Sequence, residues 1–431
     1  MPLGCPKNDV DSEYMLGILE RAGARIVAKP EQAELIIVNT CAFIEPAVEQ
    51  SVKALLAAAE TRARVICAGC LPARYGRQLM EQLPEVHGFV GPGGVDDIAE
   101  VVAEALRNPP VWHVPPPERF TGHCDVPRRS IAQPWTHAIK IADGCSHACT
   151  FCTIPAIRGR FRSRPLDDLL REAERAAQAG VREICLVAQD TSSYGSDLGL
   201  RDGLALLLEK LGELLPQDIW LRVQYLHPDC LTSETIAAML EVPQVVPYFD
   251  LPFQHCAERI LRAMGRRGNA EAYHLTVASI RQTQPLAAVR ATFIVGFPGE
   301  TASDFHQLLD FVDLIEPDHV AVFPYWPEEG TPAASLPNKV KQPDIRRRLE
   351  ELQETARKIA QVRSEMLIGQ HLRVLVEDFS GKRQAIGRTF RDAPGVDGQC
   401  YVRVHQPVDR GSWISVEITD AEDNDLHGRS V

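Results

Sequence analysis

The 431-residue sequence lacks a long hydrophobic run and a surplus of positive charge. Its most apolar stretches, such as 35–38 and 320–323, have the length of a strand, whereas a membrane-spanning helix needs about 20 apolar residues. The chain start has neither the basic residues nor the apolar stretch of an export signal, so we expect a cytoplasmic protein without membrane contact. The net charge of −12 argues against broad nonspecific binding to nucleic acid.

Cysteine, in contrast, is plentiful. Twelve cysteines occur in a chain that is far too long to be a small disulfide-stapled module. Without an export signal, such a number points away from disulfides and towards metal or redox chemistry in a reducing compartment.

Alternating helix and strand patterns predict an α/β protein with three domains. Residues 1–108 are expected to form an open α/β domain with a parallel sheet. Prolines cluster in 109–134, which predicts a linker without regular structure. Repeated strand and helix patterns in 135–365 indicate a partial (β/α) barrel, and the alternation in 366–431 indicates a small all-β domain.

Three cysteines near the start of the middle domain form a CxxxCxxC motif: Cys145, Cys149 and Cys152. Three thiolates on one loop suit a 4Fe–4S cluster that leaves one iron without a protein ligand, and an open iron can activate a small molecule. A zinc site with His147 as fourth ligand is the alternative.

A second group consists of Cys5, Cys41 and Cys70, each at or near the carboxyl end of a candidate parallel strand. Open α/β sheets build their sites at that edge. These cysteines could hold a second three-thiolate cluster, while the alternative interpretation is three buried free thiols.

The CxxxCxxC motif, the aromatic Phe151 before its last cysteine and the barrel that follows resemble the radical S-adenosylmethionine superfamily. The resemblance implies a 4Fe–4S cluster on the three catalytic cysteines, at which reduction cleaves S-adenosylmethionine to methionine and a 5′-deoxyadenosyl radical. The turn Gly296-Phe297-Pro298-Gly299-Glu300 resembles the strand end that contacts S-adenosylmethionine in this superfamily.

Three further motifs resemble the N-terminal domain of the methylthiotransferase family: Gly4-Cys5-Pro6-Lys7-Asn8 followed by Asp11-Ser12-Glu13, Asn39-Thr40-Cys41, and Gly69-Cys70-Leu71. The last sixty or so residues are similar to the TRAM domain that closes these enzymes. The resemblance implies two 4Fe–4S clusters, the second an auxiliary one on Cys5, Cys41 and Cys70 that delivers sulfur. Only three residues precede Gly4, where relatives carry a full first strand. A truncated or misassigned start is one explanation, and if the strand is absent we expect the sheet to lose an element beside Cys5.

Within that family, the stretches 188–195, 225–228 and 250–255 resemble the branch that methylthiolates the β-carbon of an aspartate in ribosomal protein S12. Transfer-RNA adenosine methylthiotransferase and two-cluster electron-transfer protein are the alternatives. Residues 368–431 carry eight lysines and arginines against ten acidic residues, which suits a basic ribosomal protein better than RNA. A local basic patch would reverse that argument, and its candidate residues are Lys382, Arg383, Arg388 and Arg391.

Other candidates follow from position alone. Arg158, Arg160 and Arg164 come after the cysteine loop and could bind a carboxylate of S-adenosylmethionine or of the substrate, or be solvated. Five polar residues lie at predicted strand ends, where barrel enzymes place active groups, and Gln189 among them is a candidate for cofactor binding. They are Gln189, Asp190, Tyr194, His227 and Gln254. We expect Cys256 to face the same cavity and Cys67 to lie inside a strand. The expected partners, besides the substrate, are an electron donor protein and a ribosome or accessory protein.

Overall fold

The computed structural model describes residues 1–120, 122–381 and 383–431. Its N-terminal part is an open α/β unit whose strands pair in parallel in the order β1-β2-β3-β4. The strands are β1 (Leu35–Thr40), β2 (Arg64–Gly69), β3 (Gly88–Val90) and β4 (Val111–His113). The helices are α1 (Pro6–Arg21), α2 (Glu45–Ala59), α3 (Cys70–Tyr75), α4 (Leu79–Gln82) and α5 (Ile98–Arg107).

Helix α1 begins at Pro6, before the acidic residue Asp9 of its first turn. Proline at its first position has no N–H group that would need an intrahelical acceptor, so Pro6 starts the helix directly after Cys5. The helix is buried along most of its length and packs against the sheet and against the central domain. Cys5 is therefore held at a helix start rather than in a loose loop.

The proline-rich segment departs from its prediction. Val111–His113 pairs in parallel with β3, which makes it the edge strand of the N-terminal sheet. The expectation that 109–134 has no regular structure is therefore wrong at β4. Proline is tolerated at sheet edges and beside strands, which is why the composition did not exclude this one.

Residues 1–3 lie along β1. The Leu3 N–H group donates to the Asn39 carbonyl at 2.9 Å, and the Asn39 N–H group donates to the Met1 carbonyl at 2.9 Å. Pro2 and Asn39 form an isolated parallel bridge. This pairing supports the chain beside Cys5 from the sheet.

The central part contains two three-stranded parallel sheets, β5-β8-β9 and β10-β11-β12, that form a partial barrel as predicted. An isolated bridge between Leu221 and Val245 links the two sheets. The strands are β5 (Thr136–Lys140), β6 (Ala142–Asp143), β7 (Arg162–Ser163), β8 (Glu183–Val187), β9 (Trp220–Val223), β10 (Tyr248–Gln254), β11 (Ala288–Val295) and β12 (His319–Pro324). The helices are α6 (Ile154–Arg158), α7 (Leu166–Gln178), α8 (Gly203–Leu214), α9 (Ser233–Glu241), α10 (Glu258–Ala263), α11 (Ala270–Thr283), α12 (Ala302–Ile315) and α13 (Gln342–Glu365).

The C-terminal part is a closed five-stranded barrel in the order β13-β14-β15-β17-β16. Its strands are β13 (His371–Phe379), β14 (Gln384–Arg388), β15 (Cys400–Arg403), β16 (Trp413–Glu422) and β17 (Asp425–Ser430). It packs against the amino ends of the central strands, where the rings of Trp220 and Trp413 lie 4.3 Å apart and the Tyr248 hydroxyl donates to Asp397 at 2.7 Å. Across the residues described, no helix has the length and apolar content needed to cross a membrane.

Candidate functional site

The CxxxCxxC loop runs from β6 to α6, at the carboxyl end of the partial barrel. Backbone bonds fix it at two points: the Cys145 N–H group donates to the Gly159 carbonyl at 3.1 Å, and the Thr150 N–H group donates to the Met264 carbonyl at 3.0 Å. Burial raises the pKa of the Cys145 thiol to about 11 and that of the Cys152 thiol to about 12. The free thiols are therefore protonated at neutral pH, and a metal ion would have to displace their protons.

The segment after α10 supports this loop and was missed by the sequence analysis. Gly265 has φ +78°, and a Cβ atom there would lie 2.4 Å from the Ala148 carbonyl oxygen. Arg266 follows, and its positive charge favours the thiolate forms of both Cys145 and Cys152. The feature of the sequence that indicates this segment is a glycine followed by an arginine directly after a helix.

The second cysteine group converges at the carboxyl edge of the N-terminal sheet, as predicted. Cys5 caps α1, Cys41 follows β1, and Cys70 opens α3. The three thiols interact electrostatically with one another, and burial raises the pKa of Cys70 to about 11. A Cβ atom on Gly4 would lie 2.9 Å from the Cys41 Sγ atom, so the first two loops touch.

Asn8 ties the three cysteine loops together. Its Nδ2 group donates to the carbonyls of Leu3 and Thr40 at 2.9 Å each, and its Oδ1 atom lies 3.8 Å from the Cys70 Sγ atom. The Asn8 side chain thus contacts three segments: the one after the chain start, the one after β1 and the one after β2. Asn8 holds the three cysteine loops in place relative to one another, which explains the asparagine three residues after Cys5.

Arg158 lies between the two domains, where its guanidinium group is buried. It donates to Asp11 at 2.6 Å and to Asp143 at 3.2 Å, and it contacts Asn8 and the Cys70 Sγ atom, the latter at 3.7 Å. The structure therefore revises the assignment of Arg158 to S-adenosylmethionine: the carboxylates it meets belong to the protein, and its nearest thiol is Cys70.

The two cysteine groups face each other across short contacts. Helix α3, which begins at Cys70, packs against α6, which begins two residues after Cys152. The Thr153 hydroxyl donates to the Phe43 carbonyl at 3.3 Å, and these residues adjoin Cys152 and Cys41. The N-terminal domain thus covers the carboxyl end of the partial barrel beside the CxxxCxxC loop.

His147 contacts Asp190, His227 and Cys230. Its Nε2 atom lies 2.6 Å from the Asp190 carboxylate, and its ring stacks on that of His227 at 4.1 Å. The hydrogen bond to Asp190 raises the pKa of His147 to about 10, whereas burial lowers the pKa of His227 to about 4. Cys230 lies 4.0 Å from His147 and belongs to this cluster.

The turn Gly296–Glu300 lies beside the cysteine loop, because the ring of Phe151 packs edge-to-face on that of Phe297 at 6.4 Å. Gly296 has φ +80°, and Gly299 has φ +86°. Glu300 is turned back into the protein: its carboxylate accepts from the Gly296 and Phe297 N–H groups and pairs with Arg348 at 2.9 Å. The expectation that Glu300 contacts a cofactor is corrected accordingly, since this side chain holds the turn together.

Buried polar atoms without a hydrogen-bond partner among the described residues lie at the carboxyl ends of β8 and β9. They are Gln189 Oε1, Asp190 Oδ1 and His227 Nδ1. The Gln189 amide nitrogen donates to Asp143 at 2.9 Å, which fixes the side chain and leaves its oxygen unsatisfied. Such atoms are expected where a bound molecule completes the site.

Several residues that were predicted at the site make internal contacts of the fold instead. The Tyr194 hydroxyl donates to the Arg164 carbonyl, and Arg164 pairs with Asp168 and Glu172, so neither is open to a ligand. Arg160 is exposed. Cys256 contacts the Gln307 carbonyl in the core and does not face the cavity, which corrects that expectation. Cys67 is buried in β2 as expected.

Two residues of the candidate basic patch of the C-terminal barrel are buried. Arg388 is buried and pairs with Glu183 at 2.6 Å, and Arg391 is buried beside Ser364. Arg383 is exposed, and Lys382 lies outside the described residues. Buried, paired arginines are not available to a phosphate backbone, so this alternative loses its main support.

Comparisons with known proteins agree with this arrangement. Residues 1–91 match the uncharacterized protein family UPF0004, residues 139–312 the radical SAM superfamily, and residues 368–431 the TRAM domain. The chain is 42% identical over 420 residues to the ribosomal protein uS12 methylthiotransferase RimO of Moorella thermoacetica, covering 97% of this chain and 95% of that one. It is 41% identical over 440 residues to the RimO protein of Syntrophus aciditrophicus, covering 100% and 97%.

Solved structures support the fold. The radical S-adenosylmethionine methyltransferase TsrM from Kitasatospora setae, with cobalamin and a 4Fe–4S cluster bound, superposes with a TM-score of 0.54. The match covers 74% of this chain and 68% of that chain, at 16% sequence identity. At that identity the likeness concerns the backbone architecture only.

Proposed function

Since the chain belongs to the RimO family of ribosomal protein uS12 methylthiotransferases, we propose that it replaces a hydrogen on the β-carbon of a uS12 aspartate with a methylthio group. It is an iron–sulfur enzyme that uses S-adenosylmethionine. The proposal includes the β-carbon as the position of attack and two separate clusters.

We assign one 4Fe–4S cluster to Cys145, Cys149 and Cys152, and an auxiliary one to Cys5, Cys41 and Cys70. Each group offers three thiols, and cationic side chains that favour thiolates lie beside both, Arg266 at the first and Arg158 at the second. When bound, the clusters and S-adenosylmethionine supply the radical, the sulfur and the methyl group. The fit of three thiols to each cluster, with one iron open, supports this count.

The chain's own residues bind, orient and enclose the reactants. The Gly296–Glu300 turn and Phe151 form the side of the site for S-adenosylmethionine, and the unsatisfied Gln189 Oε1 atom offers an acceptor to it. Glu300 and Arg348 keep the turn in shape. Arg158 joins the N-terminal domain to the central domain through its bonds to Asp11 and Asp143.

The single observation that carries the proposal is the closeness of the two cysteine groups, through Thr153 to Phe43 and through α3 against α6. A carbon radical is quenched unless its sulfur donor is held at near-attack distance, so both groups must border one space. An electron carrier would need neither that space nor the Gly296–Glu300 turn. The buried Arg388 and Arg391 speak against an RNA-binding face on the C-terminal barrel.

The partners follow from the reaction. Reductive cleavage of S-adenosylmethionine needs an electron donor protein, and uS12 is either free, ribosome-bound or presented by an accessory protein. The mildly acidic C-terminal barrel suits a basic ribosomal protein or its assembly. We propose a cytoplasmic location, where ribosomes are found.

The test uses protein reconstituted anaerobically with iron and sulfide, then supplied with S-adenosylmethionine and dithionite. Unmodified uS12 and unmodified transfer RNA are offered together, and both are analysed by mass spectrometry. A methylthio mass gain on an aspartate peptide of uS12 is expected. A gain on adenosine instead would overturn the substrate, and absence of S-adenosylmethionine cleavage would overturn the activity.

A controlled version replaces each cysteine group by alanine. The variant without Cys5, Cys41 and Cys70 is expected to cleave S-adenosylmethionine without transferring a methylthio group. The variant without Cys145, Cys149 and Cys152 is expected to do neither. Equal transfer by either variant would contradict the ligand assignment.

A further inference from the structure

Lys7 is a buried cation without an anionic partner. It lies in the first turn of α1, two residues after Cys5, and is only 6% exposed. Within the described ranges its ammonium group forms no hydrogen bond or ion pair, and the centroid of the Tyr225 ring lies 3.3 Å from Nζ. Burying an ammonium group is costly unless it is paired, so a site that keeps it unpaired awaits a ligand.

The other buried cations of this region are paired, which makes Lys7 the exception among them. Lys140 donates to Asp11 at 2.5 Å and to Asp143 at 2.9 Å, and Arg158 binds the same two carboxylates. Asp250 influences Lys7 electrostatically, but its carboxylate accepts from the Tyr225 N–H group at 2.9 Å and from Arg290 at 3.3 Å. The nearby carboxylate is thus already bound elsewhere.

Tyr225 is held in an unusual backbone conformation that aims its ring at Lys7. It follows β9 with φ +63°, a region that non-glycine residues rarely adopt. Bonds from Thr191 to the Tyr225 carbonyl, at 3.0 and 3.1 Å, keep it there. Strain of this kind persists where the surroundings over-determine it, and it concentrates at ligand sites.

We propose that the Lys7 ammonium group binds the side-chain carboxylate of the aspartate that is modified, with the Tyr225 ring holding the ammonium group in position. The inference rests on the proposed function and adds the residue that recognises the substrate. The carboxylate is bonded directly to the β-carbon, so anchoring it fixes that carbon beside Cys5 and the auxiliary site. An adenosine or an asparagine offers no carboxylate, so Lys7 also determines specificity.

The test measures binding and does not depend on turnover. Reconstituted full-length enzyme without reductant is titrated with labelled uS12 carrying either the target aspartate or asparagine in its place, and affinity is read by fluorescence anisotropy. The wild type is expected to bind the aspartate form about 10- to 100-fold more tightly, which is the range for a hydrogen bond to a charged group. Lys7→Met is expected to bring the two affinities within about twofold by weakening only the aspartate form.

Controls separate this role from structural ones. Lys53→Met removes an exposed lysine from α2 and should leave the preference intact. Tyr225→Leu keeps the charge but removes the ring, and should reduce the preference without abolishing it, which covers the case in which Lys7→Met folds poorly. Iron content of each variant shows whether the auxiliary site is filled.

Three results would overturn the inference. If Lys7→Met keeps the wild-type preference with full iron content, Lys7 does not contact the carboxylate. If it loses about half of the iron, Lys7 serves to hold the auxiliary cluster instead. A wild-type enzyme that neither binds nor modifies uS12 overturns the proposed function as well, whereas in the first two results the wild type still modifies uS12 and the inference alone fails.

Discussion

Arg158 donates a 2.6 Å hydrogen bond to Asp11, and this ion pair joins helix α6 of the central domain to helix α1 of the N-terminal domain. Both side chains are buried, at 2% and 3% exposure. Asp11 also accepts from Lys140, so two cations and two carboxylates share the interface. The domain contact is therefore charged and depends on every member being present.

Arg158→Ala is expected to lower the free energy of unfolding by about 3–5 kcal/mol, because it removes a buried cation that pairs with both Asp11 and Asp143. Urea denaturation followed by tryptophan fluorescence measures the change. Arg160→Ala, at an exposed position two residues away, is expected to change it by less than about 0.5 kcal/mol. Equal stability of wild type and Arg158→Ala would contradict the role of this network.

Iron analysis of reconstituted protein should separate the two cysteine groups. The wild type is expected to bind roughly eight irons per chain, and alanine replacement of either group of three should leave roughly four. Cys124→Ala, a partly exposed thiol outside both groups, serves as the matched control with about eight. A triple variant that retains the wild-type iron content would remove those cysteines from the ligand set.

Gly296→Ala should disturb the turn that we assign to S-adenosylmethionine. A Cβ atom there would lie 2.5 Å from Ile345 Cγ1, in addition to the cost of φ +80°. Binding of S-adenosylmethionine, measured by isothermal titration, is expected to weaken by roughly tenfold, for about 1–2 kcal/mol of strain. Gly180→Ala has similar strain at φ +86° with open space around it, and should lower stability without affecting that binding.

His255 is expected to make the free energy of unfolding depend on pH. Burial lowers its pKa to about 3, so between pH 6.5 and 3 the unfolded chain binds a proton that the folded chain does not. Its contribution to stability is full above pH 6.5 and is lost as the pH falls towards 3.

Between pH 7 and pH 5 the wild type is therefore expected to lose about 2 kcal/mol more stability than His255→Asn. Asparagine can accept the Ala257 N–H bond that the histidine Nδ1 atom accepts at 3.0 Å. Urea denaturation at both pH values provides the comparison. Parallel losses in the two proteins would show that His255 is not the titrating group.

Sequence alone predicted the elements whose burial follows from a local pattern. The repeated strand and helix patterns of 135–365 predicted the partial barrel, because apolar runs in parallel sheets are buried on both faces. The convergence of Cys5, Cys41 and Cys70 was predictable because Cys41 and Cys70 follow neighbouring parallel strands, and the residues before Cys5 pair with the first of them. Strand β4 was missed because proline composition describes the local chain and not its pairing partner.

The roles of charged side chains were the least predictable part. Arg158 and Glu300 carry formal charges in the right region, but their partners, Asp11 and Arg348, come from other parts of the chain. Lys7 belongs to a recognisable motif, but its isolation from carboxylates depends on what surrounds it in space. Pairing across more than a hundred residues leaves no periodic signal.

The C-terminal barrel packs on the amino ends of the central strands, whereas both cysteine groups lie at the carboxyl ends. Strand β11, with eight residues, spans about 26 Å at the usual rise per residue. A macromolecule that touches both the C-terminal barrel and the cysteines must therefore run along the outside of the central domain for about that distance. For a substrate that touches both, an isolated short peptide around the target aspartate cannot bridge this distance, and the length of chain beyond the modified residue then determines affinity.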